Sequence, residues 1–228
     1  MREAWLPMGA TPLSAAAVCM LLWLGPAGGA SAQDRDPDTK IAGGGALPTG
    51  WHARTDKNRP LADAKITTMG KGMHLTLGPA VILWRDRDKA TGNYHVVATF
   101  TQTRNPRHPE AYGLFIGGSH LADAQNRYTY FLVRGDGKFL VKRRVAGDST
   151  AVVTPDWTDN DAVVKADSAG QATNELSISV RGGTVTFQVN GKDVYSAPAA
   201  RLDTRGIVGY RVNHNLDVHL SALGVHKL

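Results

Sequence analysis

Beyond residue 50 no stretch of the chain sustains a 3.6-residue apolar period, and that absence limits the fold more than any motif does. A helix packed on a core must repeat its apolar residues every three or four positions. The sequence offers short β-branched and aromatic runs instead, broken by turn residues. The clearest runs are 73–77, 80–84, 94–102, 112–116, 128–134, 138–144, 174–181, 184–189, 192–196, 206–212 and 217–225. Three breaks, Gly135-Asp136-Gly137, Gly182-Gly183 and Asn190-Gly191, supply residues that tolerate the positive φ of tight hairpins. About eleven strands joined by hairpins predict an all-β chain of two stacked antiparallel sheets. No internal repeat and no second domain are visible.

One hairpin can be read to the residue. If Gly135-Asp136-Gly137 is a three-residue loop, Arg134 faces Lys138 and the register follows. Phe131, Val133, Phe139 and Val141 then share one face, an inter-sheet core. Tyr128, Tyr130, Leu132, Leu140, Lys142 and Arg144 share the other, a mixture of rings and cations that suits a solvated, concave surface.

The first 32 residues read as a cleavable secretory signal. Residues 15–24 (AAAVCMLLWL) are an apolar run, Gly25 and Pro26 break it, and Ala30-Ser31-Ala32 offers small residues before Gln33. Ten apolar residues fall short of the roughly 20 needed to span hydrocarbon. The expectation is therefore a periplasmic or secreted protein with no transmembrane segment in the mature chain. Residues 33–46, polar and then glycine-rich, read as a flexible lead-in, and 47–228 as a single domain. Cys19, the sole cysteine, leaves with the signal, so no disulfide is expected. The net charge of +6 is spread along the chain, and only Lys142-Arg143-Arg144 forms a run. Without an aromatic-basic motif, nucleic acid is not an expected partner.

The segments LPTGW (47–51), YGLFIGG (112–118), YTYFLVRGDGKFLVKRR (128–144), VTFQVNGK (185–192) and GIVGYRVNHNLDVH (206–219) resemble concanavalin A-like lectin/glucanase sandwiches. More narrowly they are similar to a bacterial exported group that includes the 3-keto-disaccharide hydrolase-like domain. The resemblance implies a jelly-roll sandwich. Some members of this group bind sugars and others hydrolyse them, so fold membership does not choose the function.

The paired carboxylates that glucanases of this superfamily carry on one strand, in an E-x-D-x-x-E arrangement, are missing. After the signal only Glu110 and Glu175 remain as glutamates, and Glu175 opens a strand whose Leu176, Ile178 and Val180 face inward. The leading expectation is saccharide binding: Tyr128, Tyr130, Lys142 and Arg144 as a stacking platform, with Arg211, Asn213, His214 and Asp217 nearby from another strand. The alternative is an enzyme that cleaves a glycoside of the 3-keto type. Glu110, His214, Asp217 and His219 would then be its bases or metal ligands. A module of the envelope that binds protein fits the same fold. Asp-rich loops at 86–88 and 156–161 show no spaced oxygen-ligand pattern, which leaves calcium or another divalent metal undecided.

Overall fold

The computed structural model describes residues 36–228, and Met1; the signal-like segment and residues 33–35 lie outside the described residues. The unit Asp36–Leu228 is compact in itself. Its strands, in chain order, are β1 (His52–Thr55), β2 (Ala64–Met69), β3 (Gly72–Leu77), β4 (Val81–Ala90), β5 (Tyr94–Gln102), β6 (Ala111–Ser119), β7 (Arg127–Arg134) and β8 (Lys138–Ala146). They continue as β9 (Ser149–Val152), β10 (Thr158–Asp159), β11 (Ala172–Arg181), β12 (Thr184–Val189), β13 (Lys192–Pro198), β14 (Gly206–Val212), β15 (Asp217–Leu220) and β16 (Gly224–Lys227). Three short 3-10 turns are the helical content of the described residues.

The strands form two antiparallel sheets. Sheet A runs β1-β4-β14-β6-β7-β8-β10, with β9 also on β8; sheet B runs β13-β12-β11-β5-β15-β3-β2, with β16 also on β5. Their inner faces interlock in one core, where Phe100 stacks on Tyr112 and Phe131 meets Phe187. This is the jelly-roll sandwich expected. Alternation along each strand selects the inner residues, as in β5 (Tyr94, Val96, Ala98, Phe100 buried) and β12 (Val185, Phe187, Val189 buried).

The β7–β8 hairpin has the expected register. Arg134 pairs with Lys138 across the three-residue loop, and the Gly137 N–H donates to the Arg134 carbonyl at 3.1 Å. Phe131, Val133, Phe139 and Val141 enter the inter-sheet core, and Tyr128, Tyr130 and Leu132 point the other way.

Asn190 and Gly191 turn the β12–β13 hairpin with φ of 51° and 76°. Nothing lies within 4 Å of where a Gly191 side chain would begin, so Gly191→Ala isolates the backbone penalty. The variant is expected to lose about 1–2 kcal/mol, read as a lowered urea midpoint with an unchanged slope.

Residues 36–46, expected as lead-in, are tied to the body. The Thr39 N–H donates to Asn215 Oδ1 at 2.8 Å, Lys40 pairs with Asp63, and the Gly45 N–H donates to the Ala64 carbonyl.

Candidate functional site

The outer face of sheet A carries a second cluster, built from β4, β6 and β7: Ile82, Trp84, Ala111, Phe115, Tyr128, Tyr130 and Leu132, joined by the loop residue Leu121. Sheet B lies on the opposite side and contributes nothing to it. Tyr128 leans on Phe115 and Tyr130, with ring centroids 5.1 and 5.7 Å away.

Two guanidinium groups complete this face. Arg211 on β14 donates to both carboxylate oxygens of Asp56, at 2.7 and 2.5 Å. Arg144 on β8 donates to the same carboxylate at 3.1 Å and to the Tyr128 hydroxyl at 3.3 Å. Asp56 begins a 3-10 turn directly after β1, and its own N–H is held by the Ala80 carbonyl. Burial alone would raise the Asp56 pKa, but the charges and bonds of Arg211 and Arg144 outweigh it and hold the carboxyl at about 2. Among the described residues, Arg211 Nε is buried and has no hydrogen-bond partner.

The expectation of a solvated tyrosine platform needs correction. Tyr128, Tyr130 and Arg144 are 1, 6 and 3 % exposed. The rings pack tilted on their neighbours, at interplanar angles of 48° and 53°, and Asp56 draws the cations down onto them instead of leaving them in water. Lys142, opposite Tyr130, stays half-buried, and Trp157 lines the margin with the Arg134 guanidinium 4.3 Å above its ring.

The strand-junction residues separate into two further groups. His214, in the turn after β14, is buried between carboxylates: Nε2 lies 2.8 Å from Glu110 and Nδ1 lies 3.2 Å from Asp38. Asn213 donates to the other Glu110 oxygen at 3.1 Å. Glu110 is thus engaged by His214 and Asn213. Burial would lower the His214 pKa, but the Glu110 bond and the charges of Glu110, Asp38 and Asp36 raise it above the ordinary value. With both ring nitrogens already bonded to carboxylates, His214 is an ion-pair partner and not an idle base.

Asp217 and His219 share the outer face of sheet B, as their spacing requires, away from His214. Asp217 accepts from Thr76 at 3.0 Å and from Thr103, and pairs with His74 and Arg104. Burial works against its charge, but these bonds and cations keep its pKa below the usual carboxylate value. The eight residues proposed for sugar binding therefore lie in three places. Tyr128, Tyr130, Lys142, Arg144 and Arg211 belong to sheet A's outer face, Asn213 and His214 to the strand-end ion cluster, and Asp217 to sheet B's outer face. Asp56, Asp38 and His74, each the hub or partner of a cluster, carried no signal in the sequence, because each acts through residues far along the chain.

Asp36, Glu110 and His214 offer one donor atom each within 4.8 Å of one another. Two carboxylates and a nitrogen do not suit calcium, which takes six to eight oxygens. Residues 86–88, expected as a loop, lie inside β4, and the carboxylates of both aspartate-rich stretches are engaged elsewhere: Asp88 on Arg85, Asp86 on His52, Asp156 on the Trp157 N–H and Asp159 on Lys138.

No family model and no curated protein matches the sequence. Solved structures do match the fold. The carbohydrate binding module CBM66 from Bacillus subtilis is similar over 83% of this chain and 100% of its own, at 10% identity and a TM-score of 0.55. The exoplasmic/lumenal domain of VIP36, in its Ca2+/Man3GlcNAc-bound form, matches 78% of this chain and 84% of its own, at 10% identity and a TM-score of 0.53. The Bacillus licheniformis β-glucanase matches 80% of this chain and 94% of its own, at 10% identity and a TM-score of 0.50. Identity this low shows the architecture, the concanavalin A-like jelly roll, and does not choose between binding and hydrolysis. Among the described residues no helix is long and apolar enough to cross a membrane.

Proposed function

We propose that this is an exported saccharide-binding protein whose ligand lies on the outer face of sheet A. One observation carries the reading: at the margin of the buried aromatic cluster the half-buried Trp157 ring packs beneath the Arg134 guanidinium, 4.3 Å away, on the side of sheet A where Lys142 also reaches solvent. Sugars present apolar C–H faces to rings and hydroxyl oxygens to N–H donors, and this face supplies both. The sandwich architecture shared with a carbohydrate binding module supports the reading. Because Tyr128 and Tyr130 are nearly inaccessible, the ligand enters at the margin, where Lys142 and Trp157 reach solvent. Export rests on the signal-like residues 1–32, and the glycosidase mechanism of paired carboxylates has no counterpart in this reading.

The test is mass spectrometry of a mixed glycan pool, 3-keto-glycosides included, after filtration from residues 33–228, which hold both sheets. An intact glycan should be retained, and Lys142→Ala or Trp157→Ala should weaken its retention about ten-fold, the loss of one good contact, with the unfolding midpoint kept. Retention unchanged in both variants removes the site. A pool that passes untouched removes the reading, and smaller products replace it with an enzyme.

A further inference from the structure

The outer face of sheet B bears a group that sugar binding on sheet A does not use. β3 and β15 are antiparallel neighbours, and His74 stands directly opposite His219. Both point away from the core, since Met73, Leu75, Val218 and Leu220 are the buried alternates. The rings lie with centroids 4.5 Å apart and planes at 53°, and the two Nδ1 atoms are 2.9 Å apart. Two ring nitrogens that close must share something positive between them, a proton or a metal ion.

The rest of the group fixes one ring for that purpose. His74 Nε2, on the far side of the imidazole, lies 3.2 Å from Thr76 Oγ1 and 3.3 Å from Asp217 Oδ1. Asp217 is itself held by Thr76, Thr103 and Arg104. A carboxylate that steadies the second nitrogen of an imidazole is the arrangement that orients histidine ligands and makes them better donors. The His74 side chain remains 29 % exposed, so an ion can reach it from solvent.

We propose that His74 and His219 chelate a divalent transition-metal ion of the copper(II) or nickel(II) type through their Nδ1 atoms, with Asp217 as the positioning carboxylate. The separation selects the geometry. With metal–nitrogen bonds of about 2.0 Å, cis ligands in a square plane lie about 2.9 Å apart, whereas tetrahedral ligands lie about 3.3 Å apart. The observed spacing matches the first without movement of either strand. Structural zinc asks for four placed ligands and catalytic zinc for three; a tetragonal copper or nickel ion accepts two imidazoles and fills its plane with water. Calcium and magnesium prefer oxygen. Arg104, paired to Asp217, and Lys65, opposite Thr76 on β2, are the nearby cations that moderate the affinity, and Asp217 offsets part of their charge.

The same sheet carries its own control. His95 and His226 also face each other across strands, but their rings are stacked at 27° with centroids 6.1 Å apart. The experiment is titration of the untagged full chain with copper(II) chloride, followed by electron paramagnetic resonance and by copper retained per chain after desalting. The wild type should hold one ion with two imidazole nitrogens in its signal. His74→Gln and His219→Gln should each weaken binding at least ten-fold and lose a nitrogen from the spectrum, while their unfolding midpoints show a folded chain. Asp217→Asn should weaken binding about ten-fold and keep both nitrogens with unchanged g and copper hyperfine values, which loss of a directly ligating oxygen would shift. His226→Gln should bind as the wild type does. Undiminished binding in His219→Gln, or an equal loss in His226→Gln, overturns the site.

Discussion

Replacing Asp56 with alanine will lower the unfolding free energy by about 3–5 kcal/mol, because it strands buried guanidinium groups. Arg211 and Arg144 are 6 and 3 % exposed, and both rest on this one carboxylate. Arg144 retains Asp148 at 3.4 Å and the Tyr128 hydroxyl, but Arg211 has Asp56 as its acceptor. The double variant Asp56→Ala/Arg211→Met should recover most of the loss, since a flexible apolar chain then fills the site without an unpaired charge. Urea midpoints with unchanged slopes would measure both effects. A loss under about 1 kcal/mol would mean that water already compensates the arginines.

Acid should report on the same carboxylate. Asp56 is held at about 2 when folded, against 3.8 ordinarily. A depressed folded value means that the stabilisation is complete above about pH 4 and is lost as pH falls toward 2, an effect of about 2 kcal/mol. Asp56→Asn should lack that limb of the stability curve.

What could be read along the chain was what local pattern encodes. The β7–β8 register followed from one glycine-flanked loop and the alternation beside it, and it placed Phe131 and Tyr130 on opposite faces correctly. The strands that escaped, β1, β2, β9 and β10, are edge or short peripheral ones. β2 buries Ala64 and Ile66 and exposes the rest, and β10 is two exposed residues, so neither carries an apolar alternation to detect. The run 217–225 was read as one strand but breaks at Ser221–Leu223, where the Ser221 N–H crosses to the Thr99 carbonyl and β16 pairs separately with β5.

The site was less legible for a different reason. Tyr128, Tyr130 and Arg144 share a face by alternation, and that much is local. Their burial depends on Asp56, which stands 88 residues from Arg144 and 155 from Arg211 in the chain. A polar loop such as Asp56-Lys57-Asn58 gives no sign of which cation it will meet. The same holds for Glu110, whose partner His214 lies 104 residues away. Residue types at a strand junction announce that chemistry is concentrated there, and long-range packing decides which groups neutralise one another.

The His214 cluster shows how that neutralisation can be measured. His214→Ala is expected to cost about 3 kcal/mol near pH 6, because Glu110 and Asp38 lose the imidazolium that both contact. Burial disfavours the charged ring, yet the Glu110 bond and three carboxylate charges raise its folded pKa above 6.5. A raised folded value fixes the sign: the contribution is fully present below about pH 6.5 and is lost as pH rises through the folded value. The gap between wild type and His214→Ala should therefore be widest near pH 6 and should narrow as pH rises through the folded value. Glu110→Gln keeps a hydrogen-bond acceptor but removes a charge, so it should shift the alkaline limb to lower pH with a smaller loss of stability. Urea midpoints across this range decide the matter. A gap that widens with pH would mean that His214 is neutral in the folded protein, and the turn after β14 would then be held, without an ion pair, by the bond Asn213 donates to Glu110 and the one Asn215 accepts from the Thr39 N–H.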